Sequence, residues 1–390
     1  MAKVQKTILS VGYSSFPLGT AQVQRQLLLA KAIMLEGFDV TVLCRYGIHN
    51  QNDGIPCKGT FEGINYIYCS GTSLRPDGYF RRNYLKFRGL INEIKYFRRF
   101  SKSKQLAGVL ISTNNFHNIL IYYVIGKIFR TPLTVDNVEY WTSGRDIKGI
   151  VWLEKYLYDK FYFLFTDNII CISDFLIGKV KESRRGDILK IPAITDFDKF
   201  DNCVTCNLRL IKEKYFLFCG SIDYFEVIDF IISSFERLEI QDVSLILVTT
   251  ENTKLRDRIN RSRNKDSIKV LTNLSYNDLV NAYKNSEALL IPMRDIDQDK
   301  ARFPHKISEY CASCRPIITS SIGEIKNYFS EEIAFLCPVF DVSAFVDTMY
   351  KIISEPELAN RIAQKSYETG VVNFNYKSYS KSLINLLINK

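Results

Sequence analysis

The chain has 390 residues, 46% of them apolar and 24% charged, with a formal charge of +10 at neutral pH. It is too long for one ordinary core and too apolar for a disordered segment, so two globular domains are expected. The apolar run at the N-terminus is too short for a signal peptide. The most apolar later stretch, Asn118 to Phe129, is shorter than the ~20 residues of a membrane span and contains Lys127, so the chain reads as cytoplasmic.

Ten cysteines raise the question of zinc or disulfides. The pairs Cys203/Cys206 and Cys311/Cys314 have CxxC spacing. They lie far apart in sequence, however, and the second falls on the apolar side of an expected helix, so reduced thiols are the reading and no metal site is expected. The charge is uneven: residues 1–200 carry 28 Lys and Arg against 17 Asp and Glu, whereas residues 201–390 carry 24 against 25. Arg75 to Lys104 holds ten basic and two acidic residues interleaved with aromatics. That pattern suits an anionic membrane surface or a phosphate-bearing acceptor, and makes the protein a candidate peripheral protein of the inner membrane face. No helix-turn-helix, zinc finger or RNA-binding signature accompanies it, so nucleic acid is not an expected partner.

Taken in order, Lys6 to Val11 reads as a strand, Gly12 to Ala21 as a loop with two glycines, Gln22 to Glu36 as a helix and Asp39 to Cys44 as a second strand. This βαβ unit implies parallel strands. Its glycine spacing is not GxGxxG, so no nicotinamide cofactor is implied. Strands follow at Ile64–Cys69, Gly108–Ser112, Leu133–Val135 and Asn168–Ile172, with helices over the basic segment, His117–Phe129 and Ile150–Phe165. Ile191 to Asp198 is turn-rich. The pattern then restarts, with strands at Tyr215–Cys219, Val243–Thr249, Ile268–Leu271 and Ala288–Pro292. The expected helices run to about Leu238 and over Thr253–Arg263, Tyr276–Lys284, Val342–Ser354, Pro356–Thr369 and Tyr376–Lys390. Two tandem Rossmann-like doubly wound α/β domains facing a central cleft are the expected architecture. Residues 1–195 form the first and 196–213 a linker. Residues 214–374 form the second, and 375–390 a helix packing back on the first.

Within the second half, Lys300 to Glu324 holds the densest chemistry. Pro304 suits a helix start and Pro316 a helix stop, with Ile317 to Thr319 a strand beyond. At about 100° per residue, Arg302, Lys306 and Glu309 fall on one side of that helix, opposite Ile307, Tyr310, Cys311 and Cys314. Two cations and a carboxylate over a helix N-terminus make an anion site the functional reading; a solvated Lys–Glu face is the plainer one.

Phe16-Pro-Leu-Gly-Thr-Ala21, Ile191-Pro-Ala-Ile-Thr-Asp196, Leu289-Leu-Ile-Pro-Met-Arg294, Arg302-Phe-Pro-His-Lys-Ile-Ser-Glu-Tyr310, Arg315-Pro-Ile-Ile-Thr319 and Ser321-Ile-Gly-Glu324 follow one another in an order and spacing that is fairly specific. Through them the sequence resembles the retaining, family-four glycosyltransferases of the GT-B fold, of the glycosyltransferase group 1 type. The resemblance implies a nucleotide-diphosphate-sugar donor and a glycan or lipid-linked acceptor, with no cofactor. By the same resemblance Glu309 is the second glutamate of an E-x7-E motif and binds the ribose diol. Gly19 and Thr20 approach the diphosphate, and His117 or Asn114 lies near the donor sugar. Gly220, Ser221, Asn273, Arg294, Phe303 and Pro304 fall on the donor side, and Glu139, Arg81 and Arg82 on the acceptor side. The sequence departs from the pattern in four places, one of them Cys314, where a glycine is usual. Ala301 stands where the first glutamate belongs, and Ser221 and Val227 stand where an Arg and a Lys usually neutralise diphosphate. Arg302 and Lys306, with Arg294 in reserve, are then the expected counter-charges. Asp295-Ile-Asp297-Gln-Asp299 resembles a D-x-D metal motif but is read as a loop without metal. The alternatives are a nucleotide-sugar 2-epimerase on the same fold and a non-catalytic scaffold.

Overall fold

The computed structural model describes residues 5–12, 15–19, 21–143, 147–181, 186–203 and 213–389. Two compact units emerge, one of Met1–Pro192 with Tyr376–Lys390 and the other of Ala193–Asn375.

The first unit is built on eight strands: β1 (Thr7–Val11), β2 (Asp39–Cys44), β3 (Lys58–Phe61), β4 (Ile64–Tyr68), β5 (Leu106–Ile111), β6 (Leu133–Asn137), β7 (Asn168–Cys171) and β8 (Ile188–Lys190). Their spatial order is β3-β4-β2-β1-β5-β6-β7-β8. All pairs are parallel except β3–β4. Every residue of β1 is buried, as expected of a central parallel strand covered on both faces. The antiparallel pair has no counterpart in the sequence reading. Its two-residue turn, Glu62-Gly63, has positive φ at both positions, the geometry whose twist matches a hairpin. Asn-Gly would have signalled it; Glu-Gly does so weakly.

Two buried ion pairs stiffen this unit. Arg25, fully buried on the helix Ala21–Leu35, donates to both oxygens of Asp136 at the end of β6 and to the carbonyls of Ile191 and Pro192. A buried charge is tolerated when its donors are all answered, and this network answers them. Glu93, buried on the helix Tyr79–Lys102, accepts from Arg45 Nε at 2.8 Å and from Tyr122 Oη at 2.7 Å. Burial raises the Glu93 carboxyl pKa above its ordinary value, although Arg45 opposes the shift. At the end of the chain, Ser380–Ile388 seats Leu383 and Leu387 in the same unit, and Asn168 Nδ2 donates to the carbonyls of Leu386 and Asn389.

The second unit has β9 (Lys214–Cys219), β10 (Val243–Val248), β11 (Ile268–Leu271), β12 (Ala288–Ile291), β13 (Ile317–Ser320) and β14 (Phe335–Cys337). They form one sheet in the order β11-β10-β9-β12-β13-β14, parallel throughout. Phe216, Phe218, Ile228, Ile231, Leu245, Leu247 and Met349 belong to its core. Val227, at the position where the resemblance expects a phosphate-binding lysine, is a core residue of the helix Phe225–Arg237. Asp297–Ala301 is a short helix and not the loop that the sequence suggests. The helix His305–Ala312 ends one turn before Pro316, and Cys314 takes the left-handed conformation (φ +53°) usually left to glycine after a helix.

Candidate functional site

The second sheet changes direction between β9 and β12. In open α/β sheets the crevice at the carboxyl ends of two such strands is where ligands bind. Gly220, Ser221 and Tyr224 follow β9, and Arg294 follows β12. The helix His305–Ala312 is tied to the same rim, because the backbone N–H of Cys219 donates to Tyr310 Oη at 2.9 Å.

One residue earlier on that helix, Glu309 is held from two sides. Lys306 Nζ donates to its Oε2 at 2.7 Å, and Tyr283 Oη donates to the same oxygen at 3.1 Å. Burial disfavours the Lys306 ammonium, yet the adjacent carboxylate outweighs that, and its pKa stands above that of an ordinary lysine. Lys306 is therefore a fixed cation at neutral pH. Oε1 has no hydrogen bond to the protein among the described residues, which leaves one carboxylate oxygen to accept from a ligand hydroxyl.

The other two cations form a separate cluster. Arg294 donates to Asp299 from its backbone N–H (2.9 Å) and from its guanidinium (3.0 and 3.1 Å), and reaches Glu226 at 3.2 Å. Arg302 Nε stands 3.0 Å from Asp299 Oδ1 but is not aligned to hydrogen-bond, and its N–H finds no other acceptor among the described residues. Both guanidinium groups lie over the Tyr224 ring, Arg302 at 3.9 Å and Arg294 at 5.6 Å. Burial alone would raise the Asp299 carboxyl; the two arginines outweigh it and hold its pKa below the ordinary value.

This corrects the geometry expected from the sequence. Arg302 does not share a helix face with Lys306 and Glu309, because it precedes the helix in extended backbone (φ −89°, ψ 154°), where the 100° arithmetic does not apply. It turns to Asp299 and Tyr224. Asp299, seen in the sequence only as part of a metal-like triplet, is the hub of the arginine pair, while Asp295 pairs with Lys300 at 2.6 Å. Among the described residues no group of three or more His, Cys, Asp or Glu stands together in the manner of metal ligands.

The remaining candidates are scattered. Phe303 is buried in a ring cluster with Tyr328 and Phe374, and Pro304 caps the following helix. The Ser221 hydroxyl accepts from the Asp223 N–H, and Asn273 is exposed in left-handed backbone. In the first unit, Gly19 packs so closely that an added Cβ would stand 2.4 Å from Val23 Cγ2; Thr20 lies outside the described residues. His117, 60% exposed, holds Glu154 Oε1 through Nδ1 at 2.8 Å, and the neighbouring Asn114 carbonyl accepts from Lys155. Glu139 is half-buried, Arg81 is exposed, and Arg82 donates to the Gly78 carbonyl at the start of its own helix. Tyr283 and Tyr224 were not singled out in the sequence, and Asp299 was named there only in the metal-like triplet, not as a partner of the arginines.

The family model described as glycosyl transferases group 1 matches residues 208–369. No curated protein sequence matches the chain. Among solved structures, sucrose-phosphate synthase from Thermosynechococcus elongatus is similar, with a TM-score of 0.77, 16% identity and 98% of each chain covered. HepE from Anabaena, in complex with UDP and glucose, has a TM-score of 0.69 at 12% identity, covering 98% of this chain and 99% of its own. An α,α-trehalose 6-phosphate synthase from Burkholderia multivorans has a TM-score of 0.67 at 12% identity, with coverage of 99% and 96%. Residues 208–369 are thus similar to the group 1 glycosyl transferases, and the chain as a whole has the two-sheet GT-B fold of the solved structures that it resembles.

Proposed function

We propose that the protein transfers a sugar, with retention of anomeric configuration, from a nucleotide-diphosphate donor to a glycan or lipid-linked acceptor. The observation that carries this reading is the Lys306–Glu309–Tyr283 arrangement beside the switch point of the second sheet. A carboxylate with one oxygen held and the other open suits a ribose diol, and the fixed ammonium beside it suits the adjoining phosphate. Arg294 and Arg302 supply further positive charge for a departing diphosphate in the absence of the usual Arg and Lys, so metal-independent transfer is the reading. HepE is described in complexes with UDP and with UDP-glucose, and one related trehalose-phosphate synthase as UDP-forming, which makes a uridine nucleotide the first donor to try.

In this mechanism Glu309 orients the nucleoside, while Lys306, Arg294 and Arg302 stabilise the leaving group. The acceptor hydroxyl attacks on the face from which the diphosphate departs, so most of the rate comes from positioning and electrostatics. The basic first unit takes the acceptor, consistent with surface polysaccharide or glycoconjugate synthesis at the inner membrane face. The test is thermal protection by a panel of nucleoside diphosphates. UDP is expected to raise the melting temperature of the wild type, and Lys306→Ala and Glu309→Ala are expected to abolish the shift while retaining the fold. An undiminished shift in both variants would remove these residues from the site. Turnover of donor without acceptor, giving an epimerised sugar, would replace transfer by epimerisation.

A further inference from the structure

The helix Tyr79–Lys102 is anchored to the first unit by Leu85, Gly89, Glu93 and Phe97. At about 100° per residue, Phe80, Tyr84, Phe87, Ile91 and Ile94 fall within about 80° of one another, centred opposite that buried side. All five are exposed, Phe80 at 86%, Tyr84 at 62% and Phe87 at 63%. The outermost line of this helix is thus apolar, where a solvated surface helix would be polar. Arg81, Arg88, Lys95 and Arg99 form a second row within about 40° along one shoulder of the stripe. Among the described residues none of these four cations has an ion-pair partner, and the helix's one acidic residue, Glu93, is buried on the opposite side.

Two neighbouring helices expose apolar residues as well. Phe116–Phe129, which stacks Phe129 on Phe97, exposes Leu120, Val124 and Ile128 at every fourth position. Gly149–Phe161 exposes Ile150, Val151, Trp152 and Leu153 in its first turns, and its Glu154 binds His117 on Phe116–Phe129. None of these helices is long and apolar enough to cross a membrane.

We infer that this three-helix face inserts into the headgroup region of an anionic lipid surface. Phe80, Tyr84 and Phe87 enter the acyl boundary, and the Arg81–Arg99 row lies among the phosphates. Charge complementarity selects that occupant: a twofold contact between copies would bring like cation rows into one interface, whereas anionic headgroups neutralise them. The inference deepens the reading of a lipid-linked acceptor and rests on it for biological sense alone, because the docking is measured without donor or acceptor.

The test is co-sedimentation of the full chain with vesicles of phosphatidylcholine alone and of phosphatidylcholine mixed with phosphatidylglycerol. Binding to the mixed vesicles is expected, and Phe80→Ser/Tyr84→Ser/Phe87→Ser should lower the partition coefficient about tenfold or more. The circular dichroism and UDP-induced thermal shift of that variant should match the wild type. Replacing Arg81, Arg88, Lys95 and Arg99 with Gln should reduce binding to the level seen with phosphatidylcholine alone. Wild type that ignores both vesicles, or a triple variant that binds as well as wild type, overturns the inference. So does a wild-type dimer that the triple variant dissociates and that binds no vesicle. A missing UDP shift with intact vesicle binding would defeat the donor reading and leave the docking face standing.

Discussion

Glu309 and Asp299 are both carboxylates held by cations, yet their surroundings assign them different work. Glu309 keeps an oxygen open, so Glu309→Gln, which preserves shape and removes charge, should weaken donor binding about tenfold or more in a calorimetric titration. Tyr283→Phe removes only the hydroxyl that orients this carboxylate and should cost about 1 kcal/mol in the same measurement. Asp299 is fully engaged, and Asp299→Asn leaves the largely buried Arg302 without its counter-charge and Arg294 with only the exposed Glu226, a loss of roughly 2–4 kcal/mol in chemical denaturation at pH 7. Its pKa is depressed in the folded protein, so the contribution is complete above the unfolded value near 3.8 and disappears as pH falls through the folded one. The stability gap between wild type and Asp299→Asn should therefore narrow below about pH 4; a gap constant down to pH 3 would deny Asp299 its charge role. At this scale Glu309 and Lys306 were legible in the sequence, because an i,i+3 pair inside a helix has one geometry. Arg302 was not, since the helix starts after it and its partner comes from the preceding segment.

The helix Tyr79–Lys102 crosses its sheet with Gly89 so near that a Cβ there would stand 1.9 Å from the Arg45 carbonyl oxygen. Alanine is the better helix former by about 1 kcal/mol. Gly89→Ala should nevertheless destabilise by about 1–3 kcal/mol, because the gain is smaller than the cost of moving a backbone. Gly178, in the helix Asp174–Lys181, meets nothing within 4 Å, so Gly178→Ala should instead stabilise by up to about 1 kcal/mol. Thermal denaturation of the two variants checks both signs. Elements with a strong period or an apolar run were readable: Asp39–Cys44, Ile268–Leu271, Tyr276–Lys284 and Val342–Ser354 fall where the sequence places them. Lys58–Phe61, Ile188–Lys190 and Phe335–Cys337 were not read as strands. They are short and lie at sheet edges, where pairing with a neighbour decides the conformation more than local pattern does. The helix Asp297–Ala301 was hidden for a related reason. Its polar sequence has no apolar face, and its order comes from the Asp299 ion pairs.

Across the whole chain, contact and sequence order disagree at one point. Residues 376–390 follow the second unit along the chain but pack with the first, where Leu387 covers Gly108 and Ser380 donates to Glu36. Removing residues 376–390 should therefore loosen the distant unit and spare the adjacent one. In limited proteolysis followed by mass spectrometry, new cleavages are expected within residues 1–192, with residues 193–375 recovered as a resistant core. Equal resistance of both units after truncation would show the terminal helix to be dispensable. The same arrangement has a consequence for synthesis on the ribosome. The first unit emerges earliest but waits for residues made nearly two hundred positions later, so the second can finish folding before it. During that interval the apolar seat of Leu383 and Leu387 stands open to chaperones, and a chain that stops short of residue 376 carries that exposed seat as its mark of incompleteness.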